Sequence, residues 1–330
     1  MKAYINFTFI SLQKMYTLLS IIANFVYFVC YNLFMKKNTY EKRTKIANDA
    51  MNYIYKYIDT DINIDDLSIE LNISKFHLHR IFKDEFGKNI YESIKSIRLQ
   101  KASNLLITNK YSTITDIANM TGYSSQTSFL RAFKERFFMT PKAWKNGGYK
   151  EYSNKIVEKI LNPNNLIDRN IDFSKIEPSI VKMPEIKAYY IRHQGYDISI
   201  KKTWQKLQTW IYTNDIKEYK QMALHHDNPI ITPLEECQYI AMIVIENEKE
   251  FLENSSIPTL DIPKGIYAKF SLSGKYGDVI KLIQWVYHTW LIQSGYETTT
   301  NPSYTIYHKN HFLSSDEEFI LDYYLPIKYV

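Results

Sequence analysis

Between residues 47 and 148 the apolar positions recur at three- and four-residue steps, in stretches that are short and sharply stopped. Ala47 to Ile58 carries one such stripe. Leu67, Leu71 and Ile73 share a face ahead of Ser74, a residue type that opens helices by accepting from free backbone N–H groups. The next run sets Phe76, Leu78, Ile81, Phe82 and Phe86 at helical spacing and stops at Gly87, which suits a helix C-terminus. Tyr91 to Leu106 is a single unbroken helical pattern. The sequence then repeats itself with Ile117 and Ala118, a turn at Gly122, a cap at Ser124 or Ser125, and Phe129, Ala132, Phe133 and Phe137. R-I-F-K-D-E-F from Arg80 returns 51 residues later as R-A-F-K-E-R-F from Arg131. A fixed-period match means one supersecondary unit built twice, and two short helices about a tight turn have the shape of a helix-turn-helix. The pattern predicts an all-α segment with two such units, held apart by the Tyr91–Leu106 helix.

Past Trp144 the pattern loosens. Turn-rich ground at 146–148 and 162–165, with a helical piece near Tyr152 to Leu161 between, marks 149–175 as a linker. From about Ile176 the period changes to two, as in Tyr239, Ala241, Ile243 and Ile245. A second repeat appears here at offsets of 79 to 83: A-Y-Y-I-R-H-Q-G from Ala188 with Y-A-K-F-S-L-S-G from Tyr267, Trp210 with Trp290, L-H-H-D-N-P from Leu224 with Y-H-K-N-H-F from Tyr307, and Glu235 with Glu317. Each copy reads strand, helix, strand, strand. Two pseudo-symmetric βαββ repeats joined face to face predict an α+β domain with a ligand groove between the halves.

Charge separates the two regions. Lys75 to Lys150 holds 14 Lys and Arg against 5 Asp and Glu, an excess of nine, in a chain whose net charge is +6. Positive charge is therefore concentrated on the repeated helices, as counterion-release binding to double-stranded DNA requires. Two such units can enter two major-groove segments of one duplex. Two cysteines, Cys30 and Cys237, supply neither a disulfide framework nor metal-ligand spacing, and no phosphate-cradling glycine loop occurs, so neither metal nor cofactor is expected. Met15 to Phe34 runs 20 residues without a charge and is followed by Lys36 and Lys37. Residues 1–34 are read as an apolar leader ahead of a natural start at Met35, with a tether on the inner face of the membrane through residues 15–34 as the alternative. Either reading leaves the remaining chain in the cytoplasm.

Geometry selects the DNA-facing side chains. In the first unit Phe76, His79 and Arg80 lie opposite the core phenylalanines Phe82 and Phe86, and Arg80 can span guanine O6 and N7 with two donors. The matching positions in the second unit are Gln126, Thr127 and Arg131, and glutamine suits the donor–acceptor pair of adenine. Lys75, Lys83, Ser128 and Lys134 are assigned to phosphates, which position without specifying sequence.

Residues 41–148 closely resemble the DNA-binding domain of AraC/XylS-type transcription regulators. The resemblance rests on S-K-F-H-L-H-R-I-F-K-D-E-F-G from Ser74, I-R-L-Q-K-A-S-N-L-L from Ile97, D-I-A-N-M-T-G-Y-S-S-Q-T-S-F-L-R-A-F-K from Asp116, and T-P-K-A-W-K from Thr140. It implies base readers at the positions named above and makes RNA polymerase a candidate partner. Residues 176–330 resemble the GyrI-like effector-binding domain, through R-H-Q-G-Y at Arg192, the Trp204 to Trp210 helix, H-H-D-N-P at His225, the segment from Thr232, S-G-K-Y at Ser273, S-G-Y-E at Ser294 and D-Y-Y-L-P-I at Asp322. This second resemblance implies an aromatic pocket with a buried carboxylate, suited to a hydrophobic or cationic small molecule. Trp204, Tyr267, Trp285, Tyr307 and Tyr324 are its candidate aromatics, and Asp322 sits where relatives carry an acidic residue, commonly glutamate. Ring faces attract a cation and a desolvated carboxylate gains by pairing with one. The implied protein is a ligand-responsive, sequence-specific transcription regulator without enzyme activity. Some GyrI-like proteins are small-molecule hydrolases, and a hydrolase fused to a DNA-binding domain is the alternative.

Overall fold

A computed structural model describes residues 39–161, 171–246 and 255–329. The 1–34 leader lies outside the described residues, among which no helix is long and apolar enough to cross a membrane.

The helical half follows from its caps. A helix through residues 39–56 (α1) supports α2 (Ile64–Glu70) and α3 (Lys75–Phe86). Asn63 caps α2, and Ser74 caps α3 by accepting from the His77 amide. Helix α3 ends on Gly87 in the left-handed conformation, with φ of 70°. Helix α4 (Ile90–Thr108) opens on a reciprocal capping box between Asn89 and Glu92. The second unit, α5 (Ile114–Met120) and α6 (Gln126–Phe137), is opened by a Thr113–Asp116 box and by Ser125. Short α7 (Pro141–Ala143) leads through a π-turn into α8 (Tyr149–Leu161), so the front of the expected linker is a regular helix.

The C-terminal half is a nine-stranded antiparallel sheet, with strands β1 (Ser179–Met183), β2 (Ile186–Gln194), β3 (Tyr219–His225), β4 (Gln238–Ile245), β5 (Thr259–Ile262), β6 (Gly265–Lys275), β7 (Tyr296–Thr298), β8 (Ser303–Lys309) and β9 (Glu318–Tyr329). Their order is β1-β6-β9-β8-β3-β4-β2-β5, with β7 beside β9. Read from either end to the middle, that order is the same fold twice, and the halves meet where β3 pairs antiparallel with β8 around Ala223 and Thr305. The repeats thus join edge to edge, where the sequence suggested face to face. Each half would otherwise leave a row of unpaired N–H and C=O groups on its last strand, and mutual pairing satisfies both rows. One face of the sheet is covered by α9 (Ile200–Thr213), α10 (Asp278–Trp285) and α11 (Leu291–Gln293).

Three apolar clusters result. Unit one closes a core of its own from Ala50, Ile54, Leu67, Phe82 and the α4 residues Ile90, Ile94 and Ile97. Unit two has none to itself: Phe129, Phe133, Phe137 and Trp144 are continuous with Trp204, Tyr239 and Phe270 of the sheet half. The third cluster lies on the face of the sheet away from α9, with Tyr190, Met222, Met242, Tyr267, Tyr304 and Tyr324 at its centre.

Gly122, in the turn of unit two, has φ of 78°, and a Cβ there would come within 2.7 Å of the Ile58 carbonyl oxygen and 2.8 Å of the Arg98 guanidinium. Arg98 is itself tied to the Ile58 and Thr60 carbonyls, so this turn is where unit two touches unit one. Gly122→Ala is expected to destabilise the fold by on the order of 2–3 kcal/mol, from backbone strain and overpacking together. Urea unfolding of the two proteins measures it.

Candidate DNA-reading surface and ligand face

Each recognition helix buries one stripe and exposes another. On α3, Leu78, Ile81 and Phe82 are buried while Phe76, Arg80 and Lys83 are exposed, Phe76 to 88%. On α6, Phe129, Ala132, Phe133 and Phe137 are buried while Gln126, Thr127, Ser128, Arg131 and Lys134 are exposed. Lys75 and His79 are half-buried: Lys75 pairs with Asp65 at 2.9 Å, and the His79 ring packs beside Tyr91 with centroids 5.8 Å apart. Arg80 Nη2 donates to His77 Nδ1 at 3.4 Å. Of the four phenylalanines expected in the core, Phe86 is only half-buried, because it also faces Arg192 of the sheet half.

Period two divides the four candidate ligand residues on strands between the faces of the sheet, while Trp204 and Trp285 lie on α9 and α10. Tyr267, Asp322 and Tyr324 lie together on the face away from α9, since β6 and β9 pair Tyr267 with Pro326, Lys269 with Tyr324 and Ser271 with Asp322. Tyr304 joins them from β8, stacked on Tyr324 at 4.6 Å and edge-on to Tyr267 at 5.1 Å. Its hydroxyl is buried without a hydrogen-bond partner. Burial pushes the Tyr267 and Tyr324 hydroxyls up to about 12, so all three remain neutral donors at physiological pH. Trp204 and Tyr307 are on the helix-covered face, edge-on at 5.8 Å, with Trp204 Nε1 donating to Tyr239 Oη. Trp285, on α10, packs against Phe173 and Phe270.

Asp322 is buried to 8% exposure, and burial raises its carboxyl pKa. The Ser271 hydroxyl at 2.5 Å, His308 Nε2 at 3.0 Å and Lys269 Nζ at 3.6 Å outweigh that effect and hold it below the usual carboxylate range. The carboxylate is therefore ionised and already has two basic partners. His308 also borders a groove of about 460 Å³ that opens where β3 and β8 diverge, walled by Gln208, Tyr219, Gln221, Tyr307 and Leu313. That volume is in the range of small-molecule sites, and the groove lies between the two repeats.

Sequence reading missed the seam between the halves. Gln100 Nε2 donates to Thr232 Oγ1 at 2.7 Å, Asn228 Nδ2 to Asn104 Oδ1 at 2.8 Å, and Lys101 Nζ to the Thr300 carbonyl. Glu236, just ahead of β4, lies 3.4 Å from Lys88 and 3.5 Å from Arg136, and so touches both units. A local pattern assigns such polar helix residues to solvent. Only the presence of an opposing polar loop, H-H-D-N-P, could have suggested otherwise.

Lys101 is 7% exposed, and burial lowers its pKa to about 8. The folded state thus releases this proton before the unfolded chain does, and stability must rise with pH between about 8 and the unfolded lysine value. In Lys101→Met that rise is expected to vanish, with stability at pH 7 equal to or above that of the parent chain. Chemical denaturation of both proteins from pH 7 to 9.5 reads the difference.

A family model described as a helix-turn-helix domain matches residues 67–147, and one described as a GyrI-like small molecule binding domain matches residues 176–328. Among curated relatives, the probable transcription factor PqrA of Proteus vulgaris is 38% identical over 109 residues, 31% of this chain and 88% of PqrA. The xylose operon regulatory protein of Escherichia coli is 35% identical over 97 residues, 29% of this chain, and the match spans only 24% of that protein. Among solved structures, the C-terminal domain of AraT, a response regulator from Geobacillus stearothermophilus, is 30% identical with a TM-score of 0.29, covering 31% of this chain and 84% of that one.

Proposed function

Because the chain belongs to the AraC/XylS family of transcription regulators, with a GyrI-like small-molecule binding domain joined to its helix-turn-helix half, we propose that it reads promoter DNA through both recognition helices under control of a hydrophobic cation. The observation that carries the reading is the doubled arrangement of α3 and α6. Two Ser-capped helices bury their phenylalanines and expose an arginine at the same place, Arg80 in one and Arg131 in the other. Base contacts fall to Phe76, His79 and Arg80 in unit one and to Gln126, Thr127 and Arg131 in unit two; Lys75, Lys83, Ser128 and Lys134 hold phosphates. Lys75 exchanges its exposed Asp65 partner for a phosphate at little cost, since solvent screens such a pair. Such a regulator works in the cytoplasm, with RNA polymerase as its further partner at the promoter. The relatives are named as regulators, and nothing in those names points to the hydrolase alternative.

On the sensing side, the reading places the effector against Tyr267, Tyr304, Tyr324 and Asp322. A cation arriving there competes with Lys269 and His308 for the one carboxylate, which makes the site selective for ligands that bring enough aromatic contact to offset the displacement. Trp204, Trp285 and Tyr307 act from the helix side, Tyr307 as part of the groove wall and the two tryptophans by packing.

Selection of duplexes from a random pool, followed by titration, tests the DNA reading. Arg80→Ala and Arg131→Ala are each expected to cost about 1–3 kcal/mol and to relax preference at one position. Lys134→Ala is expected to weaken every sequence alike and to lower the salt slope by about one. Unchanged selectivity in both arginine variants rejects the assignment. For the effector, Asp322→Asn is expected to weaken a lipophilic quaternary cation by about tenfold or more while leaving its neutral carbon isostere unaffected. Calorimetry on the pair decides, and equal losses for both ligands remove Asp322 from the site.

A further inference from the structure

The two helix-turn-helix units are attached to the sheet by different physics. Unit two shares a continuous apolar core with it, from Phe133 and Trp144 through to Trp204 and Tyr239. Unit one has a closed core of its own and meets the sheet through polar groups centred on Arg192 of β2. Arg192 Nε donates to Asn48 Oδ1 at 3.0 Å and Nη2 to Asn52 Oδ1 at 2.9 Å, both on α1. The guanidinium carbon lies 5.9 Å from the Tyr55 ring centre, 5.7 Å from Tyr190 and 6.0 Å from Phe86, the last on recognition helix α3. Asn52 is gripped twice, since its Nδ2 also donates to Tyr190 Oη at 2.9 Å.

This contact is held by polar and ring interactions rather than by a shared apolar core. Arg192 Nη1 is buried without a partner, and so are both ring nitrogens of His226, which stacks on Tyr55 at 3.5 Å. Water would satisfy each of them on separation, so a polar contact of this kind comes apart far more readily than a shared apolar core. Its sheet side is continuous with the ligand face. Tyr190 belongs to the same buried cluster as Tyr267, Tyr304 and Tyr324, and Met242 and Met222 of that cluster, on β4 and β3, lie between it and the strand of Tyr304.

We propose that Arg192 and Tyr190 form a releasable clamp on Asn48 and Asn52, through which occupancy of the tyrosine face sets where unit one stands relative to unit two. Unit two stays with the sheet and unit one moves about α4. The Glu236 carboxylate, shared by Lys88 and Arg136, and the Gly122 turn packed on Ile58 and Arg98 are further ties between the units. The regulatory part of this proposal rests on the function proposed above, whereas the clamp itself is a property of the free protein.

Paired nitroxide labels on exposed positions of α2 and α5, Ile69→Cys and Asn119→Cys, report the separation of the units in the full chain, with Cys30→Ser and Cys237→Ala removing the native thiols. The parent chain is expected to give one narrow distance, and Arg192→Gln and Asn52→Ala, altered from opposite sides of the contact, each to roughly double its width. Thermal unfolding confirms that each variant is folded, and two variants keep the test decisive should one fail to fold. On the duplex selected by the parent chain, each variant is expected to lose roughly tenfold in affinity, with no loss on a duplex carrying only the segment read by unit two. Distance distributions in both variants that superpose on the parent's overturn the clamp. A parent chain that selects no DNA sequence overturns the proposed function instead, and the distance measurement still decides the clamp.

Discussion

Helix α4 has to serve two cores at once, and the rest of the molecule is arranged around that constraint. Its first turns bring Ile90, Ile94 and Ile97 into the core of unit one, and its later turns bring Leu99, Ala102, Leu105 and Leu106 into the core that unit two shares with the sheet. A straight helix presenting apolar residues to partners on different sides has no solvent face along much of its length. Gln100, Lys101 and Ser103 are consequently buried as well, and each must find a partner. They find Thr232, the Thr300 carbonyl and the α4 backbone, while Trp144 Nε1 donates to the Ser103 carbonyl at 2.9 Å. The polar seam between the two halves of the protein is thus a consequence of how α4 is used.

From that seam follows a division of labour between the units. Apolar continuity makes unit two and the sheet one body, whereas unit one joins it through α4, the close turn at Gly122, the Tyr55–His226 stack and the polar contacts of Arg192 and Glu236. A regulator needs one firm attachment, so that a change in the sensing domain has something to act against, and one yielding attachment, so that the change alters the DNA-reading surface. The edge-to-edge joining of the two βαββ repeats adds to this. It makes one uninterrupted sheet whose face carries the tyrosines and Asp322 at one side and Arg192 at the other.

Much of this was legible in the sequence, where the information is local. The caps at Ser74 and Ser125, the left-handed stop at Gly87, the turn at Gly122 and the buried phenylalanines all follow from helical period and residue type, and the 51-residue repeat revealed the doubling. The two βαββ repeats were legible for the same reason. What the sequence withheld depends on register and on docking. Period two says that Tyr307 and Tyr324 alternate with their neighbours, but only the pairing of β8 with β9 shows them on opposite faces, and only the closing of β3 against β8 shows that the repeats meet by their edges. Asp322 was chosen alone, and its partners Lys269, Ser271 and His308 come from two adjacent strands. Arg192 was visible only as part of a family motif. Its Asn48 and Asn52 partners lie about 140 residues earlier, a separation that no local pattern spans.

The central claim is that two recognition helices on one chain read one duplex together. Hydroxyl-radical footprinting of the full chain on its selected duplex tests it most directly. The account predicts two protected segments on the same face, separated by about one helical turn of ~34 Å, with protection over one segment lost in Arg80→Ala and over the other in Arg131→Ala. A single protected segment, or protection that both arginine variants leave intact, would contradict it.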